Sequence, residues 1–207
     1  MKRILMTMLC LGLIQPVVAA DGDAERGKIA FAICAACHGQ NGEGNQAMNA
    51  PANGGQDEWY VSRQLQNFRA GTRGAHAEDV YGAQMRPMAL SLADDQAVAD
   101  VAAYVATLPA PTLAKTVEGD VAAGKSAYAI CVACHGANGE GNVSLNAPRL
   151  SNQHDWYVVR QMQNFKSGVR GTHKGDVYGA QMRPMAMVLA SDQAVNDVTA
   201  YISTLGD

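Results

Sequence analysis

Apolar residues cluster at helical spacing in most of this chain. In "DEWYVSRQLQNFRAG", residues 57–71, Val61, Leu65 and Phe68 fall at i, i+4 and i+7, one face of a helix. In "DDQAVADVAAYVATL", residues 94–108, Val98, Val101, Val105 and Leu108 form a second stripe. Asp94 stands where an N-cap belongs, and Ser191 holds the same place further on. A third helix is expected over about 24–33, and again over 121–130, each leading straight into a pair of cysteines. The intervening "HGQNGEGNQAMNAPANGGQ" is too rich in turn formers to be regular. No convincing strand emerges, so the chain reads as all-α.

The pattern occurs twice. Residues 24–110 laid over 121–207 without gaps are identical at 54 of 87 positions, which predicts a tandem duplication of one small domain. Pro109 and Pro111 end a helix and begin a short, stiff linker, "PAPTLAKTVEGD". The expected division is a signal peptide over 1–20, a first domain over 21–109, a linker over 110–120 and a second domain over 121–207. Domains this small are marginal by themselves, and three Phe and two Trp serve the whole chain. Something besides side chains is expected to fill each core.

Residues 1–20 depart from this pattern. Lys2 and Arg3, the apolar run Ile4 to Ile14, and the small residues Val18 and Ala20 have the form of a secretory signal cleaved near Ala20. The run is shorter than the roughly 20 residues that span a bilayer, so a membrane anchor is the weaker reading. Cys10 leaves with the signal. No later segment is long and apolar enough to cross a membrane. Loss of Lys2 and Arg3 takes the formal charge from −3 to −5, which argues against nucleic acid and anionic lipid as partners.

The four remaining cysteines all lie in "CAACH" and "CVACH", residues 34–38 and 131–135. A redox-active disulfide would call for a βαβ setting, and none is visible. Zinc wants four ligands, and each copy supplies two cysteines and one histidine. Covalent haem fits: two thiols at this spacing add to the two vinyl groups, and the next histidine lies beneath the iron. Two motifs in register predict two haem c groups, on Cys34, Cys37 and His38 and on Cys131, Cys134 and His135. A haem also supplies the missing core.

The sixth iron position separates a carrier from an enzyme, because an open site admits small molecules. The candidates are Met85 or Met88, and Met182 or Met185, in "DVYGAQMRPMA", residues 79–89 and 176–186. This run reads as a Gly/Pro-containing loop, which counts against all four being mere core fillers. His76 and His173 are the rivals, but they sit in polar, solvent-facing loops. His154 has no counterpart, since Asp57 stands there, and reads as a surface residue.

With these motifs in place, the chain resembles the dihaem cytochrome c4 family over essentially all of residues 24–207. The resemblance is carried by "CAACHG" and "CVACHG", the following "NGEGN", "NAPRLSNQHDWYVVRQMQNF", and "MRPMA" leading into "LASDQAVNDVTAYISTL". It implies two tandem class I cytochrome c domains, each wrapped around one covalently bound haem. In that family the axial methionine lies seven residues before a leucine that opens the last helix. Counting back from Leu92 and Leu189 selects Met85 and Met182. The family's proline carbonyl that accepts the proximal histidine's ring N–H matches Pro51 and Pro148. Gly27 against Tyr104, and Gly124 against Tyr201, match its close crossing of first and last helices. Asn53 in place of Leu150 departs from the pattern and is expected to make the first haem pocket more polar. Arg86 and Arg183 are candidates to neutralise haem propionates, with a plain surface role as the alternative.

The function this implies is a periplasmic electron carrier. It would take electrons from a membrane quinol-oxidising complex or a dehydrogenase and pass them to a terminal oxidase or reductase. Its partners would be redox proteins docking at the haem edges, with peripheral association to respiratory complexes. A dedicated electron-accepting subunit of one periplasmic dehydrogenase is the alternative. A dihaem enzyme, such as a thiosulfate dehydrogenase or peroxidase, is the more distant one, because near-identical methionine segments argue against specialisation of one haem.

Overall fold

Asp23 opens the first helix by accepting from the backbone N–H groups of Glu25 and Arg26. That helix, α1, runs Ala24–His38, and the chain leaves it at Gly39 with φ 83°. The computed structural model describes residues 21–206; the expected signal segment lies outside the described residues. The helices that follow are α2 (Glu58–Arg69), α3 (Val80–Leu90), α4 (Asp95–Thr107), α5 (Val121–Tyr128), α6 (Val132–His135), α7 (Asp155–Ser167), α8 (Val177–Met187) and α9 (Asp192–Ile202). Among the described residues there is no strand, only the isolated bridges Asn45–Ala50 and Asn142–Ala147. None of the described helices is long and apolar enough to cross a membrane.

The expected amphipathic helices form close to their expected limits. Asp94 and Ser191 cap α4 and α9 by accepting from Ala97 N and Ala194 N. The Val98, Val101 and Val105 stripe is buried, as are Val195, Val198 and Ile202 in the second half. The first helix is longer than expected, because it continues through the cysteine motif to His38. In the second half the same stretch breaks after Tyr128 and resumes as α6. The β-branched Val132 stands there in place of the helix-favouring Ala35.

The "DVYGAQMRPMA" run is a correction: it is helical in both halves, not a loop. Asp79 is buried and accepts from Gly82 N and Gly74 N, and Asp176 does the same with Gly179 N and Gly171 N. These carboxylates anchor the first turn strongly enough for the helix to pass through Pro87 and Pro184, each of which deletes one backbone bond.

Each half is held by a close crossing of its first and last helices. A Cβ at Gly27 would lie 1.9 Å from the carbonyl oxygen of Asp100 and 2.9 Å from Cβ of Tyr104. At Gly124 it would lie 1.9 Å from the oxygen of Asp197 and 3.0 Å from Cβ of Tyr201. Only glycine permits this approach, which seats Phe31 against Tyr104 and Tyr128 against Tyr201, with ring centroids 5.3 and 5.4 Å apart.

The two halves meet through reciprocal contacts. Arg63 donates to the side-chain and backbone oxygens of Asn146 (2.9 and 3.0 Å), and Arg160 donates to the side-chain oxygen of Asn49 (2.6 Å). Each guanidinium also stacks across the boundary, Arg63 on Tyr178 at 4.4 Å and Arg160 on Tyr81 at 4.0 Å. Gln153 both donates to and accepts from the backbone of Ala52, while Gln56 donates to the oxygen of Arg149. Since these residues are equivalent pairs in the duplication, the interface has approximate two-fold symmetry. The segment between α4 and α5 is held by Asp155, which accepts from Thr116 and from Val117 N.

Candidate functional site

The cysteine motif places its histidine at the end of a helix and the next turn brings a proline back over it. His38 Nδ1 donates to the oxygen of Pro51 over 2.8 Å, and His135 Nδ1 donates to Pro148 over the same distance. Both rings are buried, and burial pushes both pKa values down despite those bonds. The imidazoles are therefore neutral near pH 7, with the Nε2 lone pair available to a metal.

Both rings line a single cavity of about 470 Å³ that reaches from one half into the other. On one side stand Cys34, His38 and Met85, against Phe31 and Val105. On the other stand His135 and Met182, against Val158 and Phe165. Met88 and Met185 do not line it, and Met185 is 39 % exposed. The helix explains the choice: Gly82, Met85 and Ala89, at i, i+3 and i+7, share its inner face. Cys131 packs against the second core, while the thiols of Cys37 and Cys134 are exposed. Burial raises the pKa of Cys34 and Cys131, the opposite of what a nucleophilic redox thiol needs.

Asn53 and Leu150 face the cavity at equivalent places, so the first half does have the more polar wall there. His76 and His173 are exposed, accept from Glu78 N and Gly175 N, and stay outside the cavity. His154 is a correction. It is half-buried between the halves, donates from Nε2 to the oxygen of Glu43 over 2.9 Å, and stacks on Trp156. Its lack of a counterpart marks an asymmetric interface residue, and burial lowers its pKa.

Other arginines lie nearer the cavity than the two candidates named for the propionates, for which a plain surface role is the alternative. Arg86 and Arg183 do not line the cavity; the Arg86 side chain lies against the turn at Gly71 and Gly74, and that of Arg183 against Gly168 and Gly171. Instead Arg73 and Arg170 enter it, 6 % and 7 % exposed, stacked on Phe68 at 4.5 Å and on Phe165 at 4.3 Å. Neither is ion-paired among the described residues, and the Nε of each has no hydrogen-bond partner. Burial pushes the pKa of Arg170 down, and the neighbouring Arg73 cation adds to this, whereas Arg73, though buried, is held up by Tyr157, Tyr60 and Asp79. Two buried cations at an apolar cavity, neither in a direct ion pair, suit an anionic guest. Their signal in the sequence was repetition, since each stands before a glycine at the same place in the two copies.

A large flat apolar group with carboxylate arms, held by thiols and ligated by imidazole and thioether, fits this cavity at each end. The fold and site are those of a tandem cytochrome c. The family model described as "Cytochrome c" matches residues 24–109 and again 121–206. A cytochrome c4 of Azotobacter vinelandii is 36 % identical over 99 % of this chain and 100 % of its own length. A "thiosulfate dehydrogenase electron acceptor" of Stutzerimonas stutzeri is 32 % identical, over 84 % of this chain and 79 % of its own. The crystal structure of reduced recombinant cytochrome c4 from Pseudomonas stutzeri superposes with TM-score 0.69 at 33 % identity, covering 89 % of this chain and 99 % of that one. The chain belongs to the cytochrome c4 family: it is an electron-transfer protein that binds two covalent haem c groups.

Proposed function

We propose that this protein is a periplasmic electron shuttle with two closed His/Met haem sites. The observation that carries the proposal is the cavity into which His38 and Met85 project from one half and His135 and Met182 from the other. Cys34 with Cys37, and Cys131 with Cys134, would hold the two groups by thioether bonds. Pro51 and Pro148 fix the histidine rings, which would leave Nε2 free to ligate an iron. Met85 and Met182 would supply a thioether ligand to each iron. The haem, once bound, supplies one-electron exchange at its iron.

The chain's own residues do the rest. The thioether is a soft ligand that favours the ferrous state and raises the potential. Arg73 and Arg170, buried at the cavity, would offset the charge of the propionates. The stacked interface keeps the halves in register. Donor and acceptor would be redox proteins that dock at the haem edges. A membrane quinol-oxidising complex or a dehydrogenase would serve on one side, and a terminal oxidase or reductase on the other. Residues 1–20 would direct export and be removed after Ala20, with the domain limits at 21–109 and 121–207.

The likeness to a thiosulfate dehydrogenase electron acceptor supports a second reading, a dedicated acceptor for one dehydrogenase. The ferric spectrum of the holoprotein tests the shared basis of both. Two equivalents of the far-red methionine-to-iron charge-transfer band are expected, and one or none would overturn the closed-site reading. Turnover with a quinol-oxidising complex alone would favour the shuttle over the dedicated acceptor.

A further inference from the structure

Two buried cations from different halves meet at one neutral oxygen. Arg170 Nη1 donates to the side-chain oxygen of Gln161 over 2.8 Å, and Arg73 Nη2 reaches the same atom across the interface at 3.4 Å. Gln64 is the equivalent of Gln161 in the first copy, yet it accepts from Arg73 alone, at 2.7 Å. The asymmetry therefore comes from how the halves meet, since the residue types are the same in both.

We propose that Gln161 is a positioning residue that couples the two haem sites, by holding the guanidiniums of Arg73 and Arg170 on one shared acceptor. The proposal rests on the reading that each half binds one haem whose propionates lie toward these arginines. Like charges repel strongly where water is excluded, and a carbonyl dipole between them offsets that repulsion only while both keep their place. A shift of either cation is then felt by the other. Each haem gains one positive charge when an electron passes from it to an electrode, and a nearby guanidinium opposes that change. Gln161 thus acts directly on both potentials, whereas Gln64 acts directly on the first and reaches the second only through Arg73.

Spectroelectrochemical titration of the holoprotein, with the two midpoints resolved, tests this. The unaltered protein's charge-transfer band is measured first; fewer than two equivalents would refute the haem-site reading and is a separate failure. With both bands present, Gln161→Leu is expected to move both midpoints and Gln64→Leu to move one more than the other. Gln161→Glu, which keeps the side-chain length and both hydrogen bonds, is expected to lower both, because an added negative charge favours the ferric state. A Gln161→Leu protein in which one midpoint moves, or neither, overturns the proposal. So does a Gln64→Leu protein that moves both midpoints by the same amount.

Discussion

Replacing Gly27 with alanine puts a carbon atom where the backbone of α4 already lies. The new Cβ would stand 1.9 Å from the oxygen and 2.5 Å from the carbonyl carbon of Asp100, where real Cβ contacts essentially never fall under 3.0 Å. Helix α1 must therefore retreat from α4 by roughly 1 Å, and no rotamer change can relieve a clash with backbone. The retreat opens the seam between Phe31, Val98, Val101 and Val105, all at most 3 % exposed. Overpacking costs about 1–3 kcal/mol where side chains can yield. With backbone on one side we expect at least ~3 kcal/mol, against a total stability of about 5–15 kcal/mol for a domain. At about 4–8 °C per kcal/mol for a domain of this size, the midpoint of the first half should fall by at least ~12 °C. Because α1 carries Cys34, Cys37 and His38, one equivalent of the far-red band should weaken at temperatures where the other persists. Thermal unfolding followed by far-UV circular dichroism and by that band measures both effects. A Gly27→Ala protein that stays within ~1 kcal/mol of its parent would show that the close crossing does not hold this half together.

Met85→Ala and Met182→Ala should each remove one equivalent of the charge-transfer band and lower one midpoint, while Met88→Ala and Met185→Ala keep both bands; the reverse pattern would reassign the ligands. Arg63→Ala with Arg160→Ala removes the reciprocal bonds to Asn146 and Asn49 and the stacking on Tyr178 and Tyr81. At about 1–2 kcal/mol for each arginine, the halves should separate, read as a larger radius of gyration in small-angle scattering with both bands retained. An unchanged radius would contradict it. Finally, the Arg26 guanidinium bonded to Asp100 holds that carboxyl well below the usual carboxylate range. A lowered folded-state pKa stabilises the protein above the ordinary value near ~3.9, and this stabilisation is lost as pH falls through that value toward the folded one. Arg26→Ala should therefore flatten the loss of stability below about pH 4, measured by denaturant unfolding from about pH 6 down to about pH 2. An undiminished slope would mean that Asp100 owes its shift to Asp23 N and Gln96 instead.

Two haems, all-α folding and the tandem arrangement were open to reading from residue order, because each depends on local spacing. Thiols and histidine in one helical turn, apolar residues at i, i+4 and i+7, and a second copy 97 positions on are all features of a line of letters. The methionine segment was misread for the opposite reason. Its helix depends on Asp79 and Asp176, buried carboxylates that also bind Gly74 and Gly171, and their strength comes from exclusion of water by the rest of the fold. Arg73 and Arg86 look alike in sequence, as two arginines in two repeated segments. Packing alone sends one over Phe68 into the cavity and the other back against its own turn. The same holds for Gln64 and Gln161, identical letters in a near-perfect duplication. Chain order specifies what each half can bind, but whether a side chain meets one partner or two is decided where two curved surfaces touch, and that depends on distances no spacing along the chain encodes.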